Sequence, residues 1–363
     1  MSKGKVKISK GLAVVLCILA IIVGFAAGLI GKHYIDKPQS DRYVSGDLQI
    51  HFLELGNWHT GDSIYIKAGD TDVLIDAGSK RSSAKTITEY VNDYCEDGIL
   101  EYVIATHAHE DHIAGFVGND DVEGIFEAFE CKTIIDFPLT DKDTQVYNDY
   151  VVERYLEIKK GAKHYNALQC WNNQDGAKRS YELSDGITMD ILYNYYYENR
   201  DSDENNYSVC LMINQGDNHY LFTGDLEEEG EEKLVEYNKL PEVELFKAGH
   251  HGSKTSSTNE LLSVIKPKRV AVCCCAGSDE YTKTMANQFP TQDFIDRIAP
   301  YTKDVYVTSI SISNEQKTYQ SMNGNIVFNC GANGILVNCS NNNTRLMDTE
   351  WFRKNRIIPD AWL

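Results

Sequence analysis

From residue 48 onward, short apolar runs alternate with amphipathic stretches. Apolar runs bounded by glycine or polar turns are typical of strands, and apolar positions spaced three and four apart are typical of helices. The predicted strands are residues 48–53, 63–68, 72–75, 102–106, 189–192, 208–213, 220–223, 243–247, 269–275, 305–308, 325–328 and 334–337. The predicted helices are residues 83–94, 143–160, 227–237, 258–265 and 291–298. Because strands and helices mix throughout, the pattern predicts an α/β fold with two sheets covered by helices.

Residues 194–206 interrupt this pattern, because tyrosines and acidic residues dominate the segment. A polar segment of this kind between two predicted strands is typical of a surface connection. We therefore expect an exposed loop here, and the alternative is a tyrosine-lined surface for a substrate.

Residues 11–31 form a long apolar stretch without a charged side chain. As a helix this stretch would span roughly 30 Å, the hydrocarbon thickness of a bilayer. Residues 1–10 are basic, and such flanks tend to stay cytoplasmic. We therefore expect a single-pass anchor in the cell membrane, a linker over 32–47, an extracytoplasmic domain over 48–340 and a tail over 341–363. The alternative is secretion after signal cleavage, although the apolar part of a signal peptide usually runs only about 7–15 residues.

The composition indicates a globular domain with a strong negative charge. Hydrophobic residues make up 42% of the 363 residues and charged residues 25%, which is enough apolar material for a core. The net charge of −19 repels phosphate backbones at long range, so we expect no stable complex with nucleic acid. Any phosphorylated substrate would need a local cation to offset this charge. The ten cysteines are too sparse for a disulfide scaffold.

The strongest indication of chemical function in the sequence is a histidine cluster that directly follows the predicted strand 102–106. Its pattern is His-x-His-x-Asp-His, formed by His107, His109, Asp111 and His112. Imidazole and carboxylate are ligands suited to zinc, iron or manganese. Residues packed this tightly on a turn cannot all face one ion. We therefore expect two neighbouring ions, with His107 and His109 on one and Asp111 and His112 on the other.

Later strand ends supply further candidate ligands. Asp225 follows strand 220–223 and could bridge two cations, although on its own it fits a helix cap equally well. One of His250 and His251, after strand 243–247, is a candidate ligand; we expect His251, with His250 as the competing choice. Three more residues complete the predicted site: Asp76 as a carboxylate that orients a ligand histidine, and Ser253 and Lys254 as contacts to an anionic substrate.

This set of motifs resembles the metallo-β-lactamase superfamily. It is most similar to the branch that contains the C-terminal domain of the competence protein ComEC and the teichoic-acid phosphorylcholine esterases. The segments that carry the resemblance are Gly61-Asp62-Ser63-Ile64, Leu74-Ile75-Asp76-Ala77-Gly78, the histidine cluster, Asn205-Asn206-Tyr207-Ser208, Thr223-Gly224-Asp225, Gly249-His250-His251-Gly252-Ser253-Lys254 and Asn323-Gly324-Asn325-Ile326. The resemblance spans about residues 48–337. It implies a four-layer αββα sandwich with two divalent metal ions at the sheet edge, zinc as the first choice and manganese as the second.

The sequence departs from the superfamily pattern between the histidine cluster and Asp225. Members often carry a third histidine there, and neither His164 nor His219 is placed for that role. The resembling branch carries a polar segment instead, matched here by Asn205, Asn206 and Ser208. One of the two metal ions is therefore expected to bind more weakly or to keep additional water.

Two further departures concern neighbouring positions. Phe289-Pro290 stands where the branch commonly has His-Pro, so a contact to the substrate or leaving group is expected to be lost. His59 lies in a longer first loop than the branch usually has, and we expect a surface residue rather than a ligand.

Together these features predict a membrane-anchored metal-dependent hydrolase, with Asp111 and Asp225 among the catalytic ligands. A pair of metal ions can activate water and offset the charge of a phosphoryl group. The expected activity is that of a phosphodiesterase acting on nucleic acid or on a phosphorylated component of the cell envelope. The alternatives are a lactone, thioester or β-lactam hydrolase on the same scaffold, and a metal-poor surface binding protein.

Overall fold

Two mixed sheets of eight strands each frame the part of the chain that the computed structural model describes, residues 47–331 and 334–363. The first sheet has the order β16-β15-β1-β2-β3-β4-β5-β6, and the second has the order β14-β13-β12-β11-β10-β9-β8-β7. The strands of the first sheet are β1 Leu48–Phe52, β2 Ile64–Ala68, β3 Thr71–Ile75, β4 Ile99–Ile104, β5 Glu130–Asp136, β6 Lys163–Asn166, β15 Ile326–Gly331 and β16 Gly334–Cys339. The strands of the second sheet are β7 Ser180–Ser184, β8 Ile187–Ile191, β9 Leu211–Gln215, β10 Asn218–Phe222, β11 Leu245–Lys247, β12 Val270–Ala276, β13 Val305–Ser313 and β14 Thr318–Ser321.

Helices connect the strands, and several of them begin at a threonine. The described helices are α1 Ser83–Val91, α2 Glu110–Ile113, α3 Ile125–Ala128, α4 Gln145–Lys160, α5 Ala167–Asn172, α6 Glu228–Tyr237, α7 Asn259–Ile265, α8 Gln292–Ile298 and α9 Glu350–Asn355. The Thr144 hydroxyl accepts the amide of the third residue of α4, and Thr258 and Thr291 do the same for α7 and α8. A threonine that satisfies an otherwise unpaired amide fixes where a helix begins.

The sheets pack face to face, with helices on their outer sides. Phe52 of the first sheet and Phe222 of the second stack with ring centroids 6.2 Å apart. Alternate residues of β12 join different clusters: Ala271 and Cys273 pack in the core shared by both sheets, whereas Val272 packs with residues of α7 and α8. Successive side chains of a strand point to opposite faces. This layering is consistent with the predicted α/β sandwich.

The parallel strands determine where polar side chains gather. Strands β3 to β6 run parallel in the first sheet, and β10 to β13 run parallel in the second. Parallel strands place their carboxyl ends at the same edge of a sheet, which is where ligands bind in open α/β folds. The loops that follow β3, β4, β10 and β11 carry the predicted site residues.

Four strands were missing from the sequence prediction, and three of them lie at the edges of the sheets. Strands β6, β7 and β14 are edge strands, which are short and partly polar because one side of the strand has no neighbour. The fourth, β5, lies inside the first sheet, but its first half alternates with charged residues and shows no continuous apolar run.

The segment before β9 also differs from the prediction. Strand 208–213 was expected to begin at Ser208, but residues 204–207 form a short 3₁₀ turn and β9 begins at Leu211. The expectation of an exposed loop over 194–206 is wrong for several of its residues, because Tyr197 and Asn194 are buried. The Asn194 amide donates to two backbone carbonyl groups at 2.8 and 3.0 Å, which ties the segment to the domain.

The predicted anchor over residues 11–31 lies outside the described residues. Within residues 47–331 and 334–363, no helix combines the length and apolarity needed to cross a bilayer. The nine cysteines of this part are free thiols. The segment that precedes the carboxyl terminus packs on the second sheet, with Phe352 and Trp362 buried in its helix-covered core.

Candidate metal centre

Four strand-end loops bring the predicted side chains to one place. Asp76 follows β3 in the left-handed region, with a φ of 59°, and its amide donates to the carbonyl of Ile104 at the end of β4. His250 and His251 follow β11 with φ values of 42° and 54°. Positive φ values are uncommon for residues other than glycine, and such backbone strain is concentrated at functional sites.

Asp111, His112, Asp225 and His251 form one cluster, in which one donor atom from each lies within 4.8 Å of those of the others. Oδ2 of Asp225 is 3.1 Å from Nε2 of His112 and 3.0 Å from Nε2 of His251. Nε2 of His251 is also 3.4 Å from Oδ2 of Asp111. Two imidazoles and two carboxylates form a donor set suited to a first-row divalent ion.

Asp76 holds the ring of His112 in this cluster. Its Oδ2 lies 2.7 Å from Nδ1 of His112 and also accepts the Thr106 hydroxyl at 2.7 Å, while its Oδ1 accepts the Thr106 amide at 2.7 Å. Because Nδ1 is engaged by this carboxylate, Nε2 is the atom that faces Asp225. A carboxylate that fixes the ring of a ligand histidine is a common feature of metal sites.

Two buried residues that the sequence analysis did not assign support the other side of the cluster. Nδ1 of His251 lies 2.8 Å from the carbonyl oxygen of Cys273 and 3.1 Å from Oδ1 of Asp62. The Lys247 ammonium contacts Asp62 and lies 3.2 Å from Oδ1 of Asp225. The Cys273 carbonyl therefore orients the ring of His251, Asp62 lies beside that ring, and Lys247 ties the carboxylates of Asp62 and Asp225 together.

His107 and His109 form a second, smaller group beside the cluster. Nε2 of His107 lies 3.0 Å from Nδ1 of His109, and the rings of His107 and His112 have centroids 4.1 Å apart. Among the described residues, no aspartate, glutamate, cysteine or further histidine brings a third donor atom within 4.8 Å of both nitrogens. This half of the centre has fewer protein donors than the other.

The polar segment that contains Asn205, Asn206 and Ser208 supports Asp225 and Glu227. The Ser208 hydroxyl accepts the Asp225 amide at 3.1 Å and lies 3.5 Å from Nδ1 of His107. Asn206 accepts the Glu227 amide at 3.2 Å, and Asn205 donates to the Glu227 carboxylate at 3.1 Å. In the structure this segment positions the loop that carries Asp225.

The remaining predicted residues lie farther from the cluster. His250 is partly exposed and pairs with Glu227 at 2.6 Å, and its Nε2 is 3.9 Å from Oδ2 of Asp225. The Ser253 hydroxyl lies 2.9 Å from the hydroxyl of Thr255, and Lys254 is exposed. Of the two adjacent histidines, His251 is the one that joins the cluster.

The charges of the cluster perturb one another strongly. Burial alone would raise the pKa of Asp225, but the positive charges of His112, His251 and Lys247 outweigh burial and hold that pKa well below its ordinary range. Burial alone would lower the pKa of His112, but the carboxylates of Asp225 and Asp76 raise it well above its ordinary value. The Asp225 carboxylate therefore favours its ionised form and attracts positive charge to the centre.

A divalent ion fits this environment on two grounds. Nε2 of His112 and Nε2 of His251 are buried without a hydrogen-bond partner, although both face Asp225. Buried polar atoms normally have partners, so two unpartnered nitrogens that face one point need an additional ligand there. When His112 and His251 act as neutral metal ligands, the carboxylates of Asp62, Asp76, Asp111 and Asp225 outnumber the lysine in contact with them, and a divalent ion would offset this excess of negative charge.

Comparison with known proteins agrees with the geometry. The family model for the metallo-beta-lactamase superfamily matches residues 56–118 and 203–276, and these two segments contain every member of the cluster. ComE operon protein 3 of Bacillus subtilis is 24% identical over 248 residues, which are 63% of this chain and 28% of that protein. Competence protein ComA of Neisseria gonorrhoeae is 26% identical over 218 residues, which are 58% of this chain and 25% of that protein. The chain therefore spans less than a third of the length of these relatives.

Among solved structures, the metallo-beta-lactamase fold protein YhfI of Bacillus subtilis is similar over 75% of this chain and 91% of its own, with 12% identity and a TM-score of 0.38. The family match and the curated relatives confirm the resemblance inferred from the motifs. Together with the cluster of aspartates and histidines, they support a metal-dependent hydrolase. The chain contains a domain of the metallo-beta-lactamase superfamily.

Proposed function

We propose that this protein is a metal-dependent phosphodiesterase anchored in the cell membrane with its catalytic domain outside the cytoplasm. The observation that carries the proposal is the buried cluster of Asp111, His112, Asp225 and His251, whose donor atoms converge at the carboxyl ends of parallel strands. Such convergence at a sheet edge provides a site for an ion and for a substrate that approaches from solvent.

The four clustered residues would hold the more tightly bound ion, and His107 and His109 would hold a second ion beside Asp225. Zinc suits this donor set best, and manganese is the second choice. When bound, the metal would supply Lewis acidity, which activates water for attack and offsets the negative charge of a phosphoryl group. Because the pair formed by His107 and His109 has fewer protein donors, its ion should be lost first on dialysis.

The chain's own residues fix the geometry of the centre. Asp76 holds the tautomer and orientation of His112, and the Cys273 carbonyl does the same for His251, with Asp62 beside that ring. Lys247 keeps Asp225 in place through its ion pair and through a hydrogen bond to the Gly224 carbonyl at 2.9 Å. These contacts hold the donor atoms in position before a substrate arrives, which lowers the cost of reorganisation during the reaction.

The proposed substrate is a phosphodiester in nucleic acid or in a phosphorylated component of the envelope. The net charge of −19 disfavours long nucleic acid, so small or envelope-bound phosphodiesters are the preferred substrates. Ser253 and Lys254 follow His251 after Gly252 and are proposed to contact the anionic group. The proposed location rests on the apolar stretch 11–31 and its basic flank.

The proposal is tested with the purified 363-residue chain, loaded with zinc or manganese. Bound metal is measured per chain, and turnover is compared for bis-p-nitrophenyl phosphate, a phosphomonoester, a lactone, a thioester and a β-lactam. Asp225→Asn should lose bound metal and at least about 100-fold in phosphodiester turnover, because Asp225 faces both histidines of the cluster. Asp217→Asn is the matched control, because Asp217 is exposed on the turn before β10.

Three results would contradict the proposal. Turnover confined to a lactone, thioester or β-lactam would assign another hydrolase to the site. A wild-type chain without bound metal would favour a binding protein. Equal turnover by Asp225→Asn and the wild type would remove the cluster from the reaction.

A further inference from the structure

Tyr281 lies beside the centre, although neither the sequence motifs nor the family resemblance assigns it a role. Its hydroxyl donates a hydrogen bond of 2.6 Å to Oδ2 of Asp111. Nε2 of His251 lies 3.4 Å from the same oxygen atom. The hydroxyl is therefore hydrogen-bonded directly to a member of the cluster, Asp111. Tyr281 is 54% exposed as a residue, and its hydroxyl nevertheless contacts a side chain of the cluster.

The loop that carries Tyr281 runs from β12 to α8 and is held at several points. The Gly277 amide donates to the Phe289 carbonyl at 2.9 Å and closes the base of the loop. The Glu280 carboxylate accepts the Thr60 amide at 2.8 Å and lies 2.5 Å from Nδ1 of His59. The contacts of Glu280 fix the residue adjacent to Tyr281, so the tyrosine is presented by an ordered support.

Aromatic packing also connects Tyr281 to the centre. Its ring and that of Phe289 have centroids 5.7 Å apart. The Phe289 ring in turn lies 5.6 Å from the ring of His250 and 5.8 Å from that of His251. Phe289 therefore packs against both loop histidines and against the tyrosine.

We infer that Tyr281 is a catalytic residue of the proposed phosphodiesterase, and that its hydroxyl donates a hydrogen bond to an anionic oxygen of the substrate phosphoryl group. This inference rests on the proposed function. A phenol has one proton to donate, so the hydroxyl serves either Asp111 or the substrate. A cation bound at Asp111 would make this carboxylate a weaker acceptor for the phenol proton. An incoming phosphoryl oxygen would then compete with Asp111 for that proton. Hydrogen bonds to charged acceptors are among the stronger ones in proteins.

Tyr281→Phe removes the hydroxyl and keeps the ring, so it isolates the hydrogen bond. Tyr155→Phe is the matched control, because Tyr155 is also 54% exposed and lies on α4. Three quantities are measured on the metal-loaded 363-residue chain: metal bound per chain, the affinity for inorganic phosphate by isothermal titration calorimetry, and kcat and KM for bis-p-nitrophenyl phosphate. We expect Tyr281→Phe to keep its metal, to bind phosphate about 10- to 100-fold more weakly and to lose kcat/KM by a similar factor.

Other outcomes separate this inference from a structural role and from the proposed function. Loss of bound metal in Tyr281→Phe would show that the hydroxyl only supports Asp111, and this would overturn the inference. Unchanged phosphate affinity would overturn it as well. If the wild type turned over no phosphodiester but bound phosphate in a Tyr281-dependent manner, the proposed function would fail and the contact to the anion would stand. A metal-loaded wild type that neither bound phosphate nor turned over a phosphodiester would overturn both.

Discussion

Lys247→Met tests the charge balance that holds the centre together. Lys247 is completely buried at the end of β11, and its ammonium contacts the carboxylates of Asp62 and Asp225 and the carbonyl of Gly224. Methionine has a similar length and keeps much of the packing, but it carries neither charge nor donor. The substitution therefore removes the lysine charge that these two buried carboxylates share.

The size of the effect follows from these contacts. A unit charge pair at the 3.2 Å between Lys247 and Asp225 is worth about 5 kcal/mol at an effective dielectric constant of about 20. Removing one partner of a buried ion pair costs about 3–5 kcal/mol in measured cases. We expect the free energy of unfolding of the metal-free protein to fall by about 3–5 kcal/mol. Saturating zinc should reduce this difference, because a cation beside Asp225 restores part of the missing positive charge.

The assay is urea unfolding of the wild type and the variant, followed by tryptophan fluorescence with and without zinc. Lys85→Met is the control, because Lys85 is 69% exposed and its pairing with Glu89 at 3.9 Å contributes little. A Lys247→Met variant that unfolded within about 1 kcal/mol of the wild type without metal would refute the account of the buried charge network. So would a difference that zinc left unchanged.

Two further substitutions test the supports of the site and of the fold. Asp76→Asn should lower zinc affinity about 10- to 100-fold, because a carboxylate no longer fixes the ring of His112. Zinc affinity is measured by competition with a chelating dye, and an unchanged affinity would contradict this role of Asp76. Asp136→Asn should lower the free energy of unfolding by about 3 kcal/mol at neutral pH in urea, because it removes the buried partner of Arg154 and His164. Burial would raise the pKa of Asp136, but His164 and Arg154 outweigh burial and lower that pKa. The stabilisation that the ionised Asp136 contributes to the fold is therefore present above its pKa in the unfolded chain and is lost as the pH falls through its pKa in the folded protein. The difference between Asp136→Asn and the wild type should therefore shrink in acid, and a difference that grew would contradict this assignment.

The interior of the fold could be predicted from the sequence because interior strands are nearly continuous apolar runs. Strand β12 is buried at every position, and its sequence shows this directly. The edge strands β6, β7 and β14 gave no such signal, because most of their residues are exposed or only partly buried and resemble loops. The start of β9 was misplaced because Ser208 fits a strand by composition, whereas its hydroxyl is used to hold Asp225.

The candidate centre could be located because its residues follow predicted strands in recognisable clusters. The choice between His250 and His251 could not be made from adjacent identical residues; it depends on backbone angles that turn one ring inward and the other outward. Lys247 was missed because lysines are almost always exposed, and only its position at the end of a strand set it apart. Tyr281 lies 170 residues from Asp111, so no local pattern could connect the two.

The most direct test of a divalent ion at the centre is a crystal structure of the zinc-loaded 363-residue chain, with anomalous data collected at the zinc edge. We expect a strong anomalous peak at coordination distance from the side chains of Asp111, His112, Asp225 and His251, and a weaker one beside His107 and His109. A crystal without an anomalous peak among the four clustered side chains, or with zinc bound only elsewhere, would contradict the account.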